Sequence, residues 1–103
     1  MGSVGDDDNA KILADAMKDY KVKTKYYLHK KKPTGSCAVL LKNHKRCLLP
    51  LLGAATECPT EHIKENWKYI EKAKVIYTTA YFVSTNYEAL KMVIEHAFKE
   101  KKV

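Results

Sequence analysis

The chain has 103 residues, 46% of them hydrophobic, and a formal net charge of +7; at that length it is one domain at most, with a modest core that takes about two thirds of the unfolded surface. Its apolar content excludes a disordered segment, and no apolar run is long enough to cross a bilayer. The start lacks the basic and apolar stretches of a secretory signal, and Cys37, Cys47 and Cys58, an odd count without metal-ligand spacing, predict reduced thiols in a cytoplasmic protein.

Gly2-Ser3-Val4-Gly5 predicts the end of a strand running into a tight turn, after which Asp6, Asp7 and Asp8 cap a helix and complement its dipole. That helix runs to about Tyr20, and Ile12, Leu13, Ala16, Met17 and Tyr20 form one apolar face for packing on a sheet. Residues 22–28 alternate Thr24, Tyr26 and Leu28 against Lys23, Lys25 and Tyr27, the pattern of a strand with one wet face. His29 and three lysines then lead into a turn at Pro33 and Gly35. Lys21, Lys23, Lys25, Lys30, Lys31 and Lys32 crowd this stretch beside Tyr26 and Tyr27. Basic residues interleaved with aromatics bind single-stranded nucleic acid, and lysine runs beside a loop are also plain solvated surface; both readings stay open, the second being the ordinary one.

Residues 36–41 and 46–49, joined by Lys42-Asn43-His44-Lys45, predict a β-hairpin with a polar loop. With a period of two, Arg46, Leu48, Pro50 and Leu52 fall on one side of an extended segment, a cation at one end and apolar surface beyond. Such a face suits a ligand with an anionic end and an apolar end, such as a nucleoside being phosphorylated. The alternative is an edge hairpin whose leucines fill a core. Pro50 lacks an amide donor, so the strand ends, bulges or lies on an edge there, and Gly53-Ala54-Ala55 lets backbone come close.

Thr60 is the expected N-cap of a helix burying Ile63, Trp67, Ile70 and Ala73. Residues 75–83, β-branched and aromatic without alternation, predict a strand covered on both faces, as in parallel sheets. Thr85 and Glu88 match a capping box, and Leu90, Val93, Ile94, Ala97 and Phe98 give a helical stripe. This order is half of a wound α/β unit, so a chain cut at both ends is expected. The histidines His29, His44, His62 and His96 lie far apart and read as surface residues, without a ligand pair for a metal.

Three segments together resemble the adenosine kinases of the ribokinase-like (PfkB) carbohydrate kinase family: Gly2-Ser3-Val4-Gly5-Asp6-Asp7, the stretch 33–55, and the stretch 67–82 with Tyr77-Thr78-Thr79-Ala80-Tyr81-Phe82. The first is similar to a Gly-x-Val-Gly-x-Asp turn common to many sugar kinases. The other two are similar to Pro-Thr-Gly-Thr-Cys-Ala, Arg-Ser-Leu-x-Ala-Asn-Leu-Ala-Ala and a Trp helix leading to Tyr-x-x-Gly-Phe-Phe. The resemblance implies an α/β chain, part of a ribokinase-like fold. It comprises an incomplete parallel sheet with flanking helices and a lid hairpin, with 33–55 belonging to the lid and 1–32 and 56–103 to the large domain. It also implies ATP-dependent phosphorylation of adenosine to AMP in purine salvage, with Mg²⁺ neutralising the phosphates, by a monomeric cytoplasmic or nuclear enzyme that needs no membrane and no nucleic acid. Arg46 then stands at the lid arginine near the transferred phosphate, Leu48 and Leu52 at leucines closing on the nucleoside, Phe82 at an aromatic wall, and Cys37 near the pocket, where it is equally a small core residue. Pro50-Leu51 replaces the family's Ala-Asn, and Ala80 replaces a glycine. The family's Gly-Ala-Gly-Asp segment, with anion hole and catalytic aspartate, and its Asn-x-x-x-Asp ribose motif have no counterpart here, so no catalytic residue is assigned and the chain by itself is expected to be inactive. A non-catalytic nucleoside-binding or regulatory role is the alternative.

Overall fold

In the computed structural model, which describes residues 1–103, strand β1 (Gly2–Gly5) leads through helix α1 (Asp8–Asp19) to strand β2 (Tyr26–His29), and the two strands pair in parallel with Gly2 opposite Tyr26 and Gly5 opposite His29. This is a strand–helix–strand crossover. Asp7 is the N-cap of α1, and its Oδ1 accepts the Ala10 N–H at 3.0 Å. The helix ends where Lys21 turns left-handed at φ 56. There the Lys21 and Val22 amides donate back to Lys18 and Met17, a Schellman closure that usually takes glycine. No α1 residue is buried, because the two-stranded sheet offers little to pack against: Leu13, Ala16 and Met17 are half-covered, whereas Ile12 and Tyr20 face water. The expected strand over 22–28 shrinks to β2, whose register with β1 starts at Tyr26, with the Lys25 carbonyl just before it accepting the Gly2 N–H at 3.3 Å.

Strands β3 (Ser36–Lys42) and β4 (Lys45–Leu51) form an antiparallel hairpin, Ser36 opposite Leu51 and Lys42 opposite Lys45. The two-residue loop Asn43-His44 has both residues at positive φ, 45 and 63, which matches the right-handed twist of the strands. Counted from the turn, the position of Pro50 is one whose amide points away from β3, so the ladder loses no bond there. A short 3-10 helix (Gly53–Thr56) completes the unit Met1–Thr56.

In the unit Glu57–Val103, helices α2 (Thr60–Glu65) and α3 (Trp67–Lys72) are separated by Asn66, α4 (Tyr81–Thr85) is a single turn, and α5 (Tyr87–Lys99) is the long element. Cys58, Ile63, Ile70 and Ala89 form the core, with Trp67, Ile76, Phe82 and Val93 packed against it. Four expectations are corrected here. Residues 75–83 form no strand. Ile76 donates to the Val103 carbonyl at 2.7 Å and Val103 to that of Lys74 at 3.4 Å, but no neighbouring strand continues the pairing, Val75 and Tyr77 are exposed, and Tyr81 starts α4. The N-cap of α5 is Asn86 rather than Thr85: its Oδ1 accepts the Ala89 N–H and its amide donates to the Cys58 carbonyl at 2.6 Å. The buried edge of α5 is Ala89 and Leu90, which leaves Ile94 and Phe98 outside. Thr60 lies inside α2, with Pro59 as the N-cap.

Candidate functional site

The hairpin is exposed along both strands, so its leucines fill no core within these 103 residues. Cross-strand partners share a face. From the turn to the root, one face therefore carries Arg46 with Leu41, Leu48 with Val39, and Pro50 with Cys37. Three of the five sequence-derived site residues, Cys37, Arg46 and Leu48, thus stand on one surface, cation toward the tip and thiol toward the root. At about 3.4 Å per residue this face spans about 14 Å from Arg46 to Pro50. Leu52 lies one residue past β4, where its carbonyl accepts the Ala55 N–H at 3.0 Å. The two-residue period that aligned it with Arg46 thus ends at Pro50. Phe82 belongs to the other unit, half-buried on α4 against that unit's core. Ala38, Leu40, Cys47, Leu49 and Leu51 make the opposite face comparably apolar and equally open. Hydropathy alone does not choose between the faces. The arginine does.

No Asp or Glu occurs between Tyr20 and Thr56, so Arg46 has no carboxylate on its own hairpin, and its charge is available to an anion. Cys37 and Cys47 are exposed thiols on opposite faces. Cys58 is buried, and that burial pushes its thiol pKa up, keeping it protonated and unreactive.

The hairpin is held at its root by a cluster that sequence reasoning did not find. Thr34 is the one buried polar residue. Its hydroxyl accepts the Gly5 N–H at 2.9 Å and donates to Asp7 Oδ1 at 2.6 Å, while its own N–H donates to Asp7 Oδ2 at 2.7 Å. The Asp7 carboxylate thereby caps α1 and grips the chain entering β3, and these bonds hold its pKa below the ordinary 3.8. The chain leaving β4 meets the same place: Ala54 donates to the Pro33 carbonyl at 2.7 Å, and Gly53, at φ 51, sits where a Cβ would collide with that carbonyl. An Asp at a helix cap and a Thr between Pro and Gly were both visible in the sequence, but nothing local links residues 27 positions apart.

At the root of the hairpin no metal-holding group gathers, and the start of α1 is acidic. The first turn of α1 presents Asp6, Asp7 and Asp8 instead of bare amides, and carboxylates there repel phosphate. No group of three His, Cys, Asp or Glu side chains converges to hold a metal ion. These residues do not fit a resident Mg²⁺.

This α/β chain with a hairpin set on a strand–helix–strand root matches the pfkB family carbohydrate kinases over residues 1–103. The chain belongs to that family. It is 34% identical over 105 residues to adenosine kinase 2 of Arabidopsis thaliana, a match that covers 100% of this chain and 30% of that protein. Among solved structures, it superposes on adenosine kinase of Anopheles gambiae with a TM-score of 0.94 at 30% identity, covering 99% of this chain and 30% of that one. Adenosine kinase of Schistosoma mansoni in complex with 2-fluoroadenosine gives a TM-score of 0.94 at 27% identity over the same shares, 99% and 30%. The chain spans about 30% of the length of the curated relatives it matches.

Proposed function

We propose that this chain supplies the lid hairpin and adjoining α/β elements of an adenosine kinase, an enzyme that transfers a phosphoryl group from ATP to adenosine and serves purine salvage in the cytoplasm. The observation that carries the reading is the hairpin register, which sets Arg46, Leu48 and Cys37 on one open face in a chain of this family. Leu48 and Val39 remove apolar nucleoside surface from water, worth about 25 cal/mol per Å². Arg46 at the tip end supplies a bidentate donor for phosphate oxygens, and charge stabilisation and positioning are most of what phosphoryl transfer requires. Leu52, just past β4, adds to the nucleoside contacts in this reading. ATP brings the transferable phosphate, and Mg²⁺ travels with its phosphates.

The polypeptide of these 103 residues alone has neither a base for the 5′-hydroxyl nor an anion hole. It is therefore expected to bind adenosine without turning it over, a behaviour that equally suits a non-catalytic nucleoside-binding role. The test is AMP formation from adenosine, ATP and Mg²⁺ by this polypeptide, alongside adenosine binding by calorimetry. Binding without turnover supports the reading, robust turnover refutes the assignment of the missing groups, and absence of binding refutes the nucleoside wall.

A further inference from the structure

The register directly opposes Lys42 and Lys45 across the end of the hairpin, with His44 in the turn between them and Arg46 next along β4. Like charges directly opposite on a strand pair destabilise it, and all four groups are exposed. The stretch from Tyr20 to Thr56 carries nine Lys or Arg and no acid, whereas residues 1–19 hold five Asp and two Lys. Nothing in the hairpin neutralises its tip.

We propose that the hairpin tip is a binding site for a phosphate chain, in which Lys42 and Lys45 join Arg46 in holding the oligophosphate end of a nucleotide. This rests on the reading of Arg46 as a phosphate contact and adds residues to it. A two-residue turn keeps the Lys42 and Lys45 Cα atoms about 5.5 Å apart. Lys42 and Lys45 stand on one face of the ribbon end and Arg46 on the other, so the three cations flank the tip, and their long flexible stems let them reach a ligand seated over its end. Three exposed cations flanking one ribbon end match a compact polyanion with several adjacent charges, each contact a charge-assisted hydrogen bond. An extended nucleic-acid backbone would draw equally on Lys30, Lys31 and Lys32, beyond the end of β2.

The test is a titration of the full 103-residue chain with inorganic tripolyphosphate, followed by amide chemical shifts and calorimetry. It compares Lys42→Gln/Lys45→Gln with Lys30→Gln/Lys31→Gln, which removes the same charge elsewhere. The proposal expects shifts at residues 42–46, a loss of at least about tenfold in affinity for the tip variant and less than about twofold for the other, and retention in Lys42→Arg/Lys45→Arg. Equal losses in both Gln variants, or no binding to the wild type, overturn it. So does an oligonucleotide that binds more tightly than tripolyphosphate and depends on Lys30 and Lys31. Tripolyphosphate binding with no adenosine binding leaves the tip site standing and refutes the nucleoside reading separately.

Discussion

Thr34 and Asp7 decide where the hairpin is rooted, because two backbone segments far apart in sequence meet through one hydroxyl and one carboxylate. Thr34→Val keeps the shape and removes the hydroxyl, leaving the buried Gly5 N–H without its acceptor. The expected loss is about 1–3 kcal/mol in denaturant unfolding, and Thr34→Ser should recover most of it. Asp7→Asn separates the two duties of the carboxylate, since Asn caps a helix nearly as well but cannot present two acceptor oxygens to Thr34. The pKa of Asp7 is lowered in the folded chain by its bonds to Thr34 and Ala10. Its stabilisation is therefore full above the ordinary carboxylate value of 3.8 and lost as the pH falls through the lower folded value. Thermal unfolding of the wild type should accordingly weaken on acidification through that window more than unfolding of Asp7→Asn does. Equal pH profiles would remove Asp7 from the account. Gly53 meets a backbone limit at the same root, for Gly53→Ala adds both left-handed strain and a collision with Pro33, at an expected cost of about 2–3 kcal/mol.

Helix ends and the hairpin turn show which elements the chain specifies locally. Both long helices close on a left-handed lysine, Lys21 at φ 56 and Lys101 at φ 50, with the amides after them donating back to Met17 and Ala97. A residue with a Cβ is strained there, so Lys21→Gly and Lys101→Gly should each raise stability by about 1 kcal/mol, read as a higher denaturation midpoint with unchanged slope. His44→Gly gives the turn its preferred Asn-Gly pair and should slow hairpin amide exchange by a comparable free energy. The hairpin was legible because Asn43-His44 separates two apolar runs of matching length, and alternation fixes the face of every residue once the turn is placed. Residues 75–83 were misread because β-branched and aromatic composition describes a strand only when a neighbour pairs with it. The stripes of α1 and α5 were read too wide for a related reason: apolar residues recur at helical spacing on the exposed sides of both helices, so spacing did not reveal that Ile12, Tyr20, Ile94 and Phe98 lie in water.

Across the whole molecule, charge is segregated more sharply than a net value of +7 suggests, since residues 20–56 alone carry nine Lys or Arg with no acid. Three of the nine, Lys42, Lys45 and Arg46, stand on the open hairpin, where the proposed phosphate contacts lie. The family was legible from three ordered motifs, and the match along residues 1–103 follows them. Of the site, the sequence disclosed the arginine-bearing face but not its root, because Asp7 and Thr34 join only in three dimensions. Leu52 entered through the two-residue period and Phe82 through family likeness, and neither extends the hairpin face, one lying past the strand and the other on α4. The claim that this face is a nucleoside wall is tested most directly by titrating the chain with adenosine while following backbone and methyl shifts. The account predicts saturable changes at Cys37, Val39, Leu41, Arg46 and Leu48, abolished by Leu48→Asp, with Leu40, Leu49 and Leu51 on the other face unmoved. Shifts confined to the opposite face, or none that saturate, would contradict it.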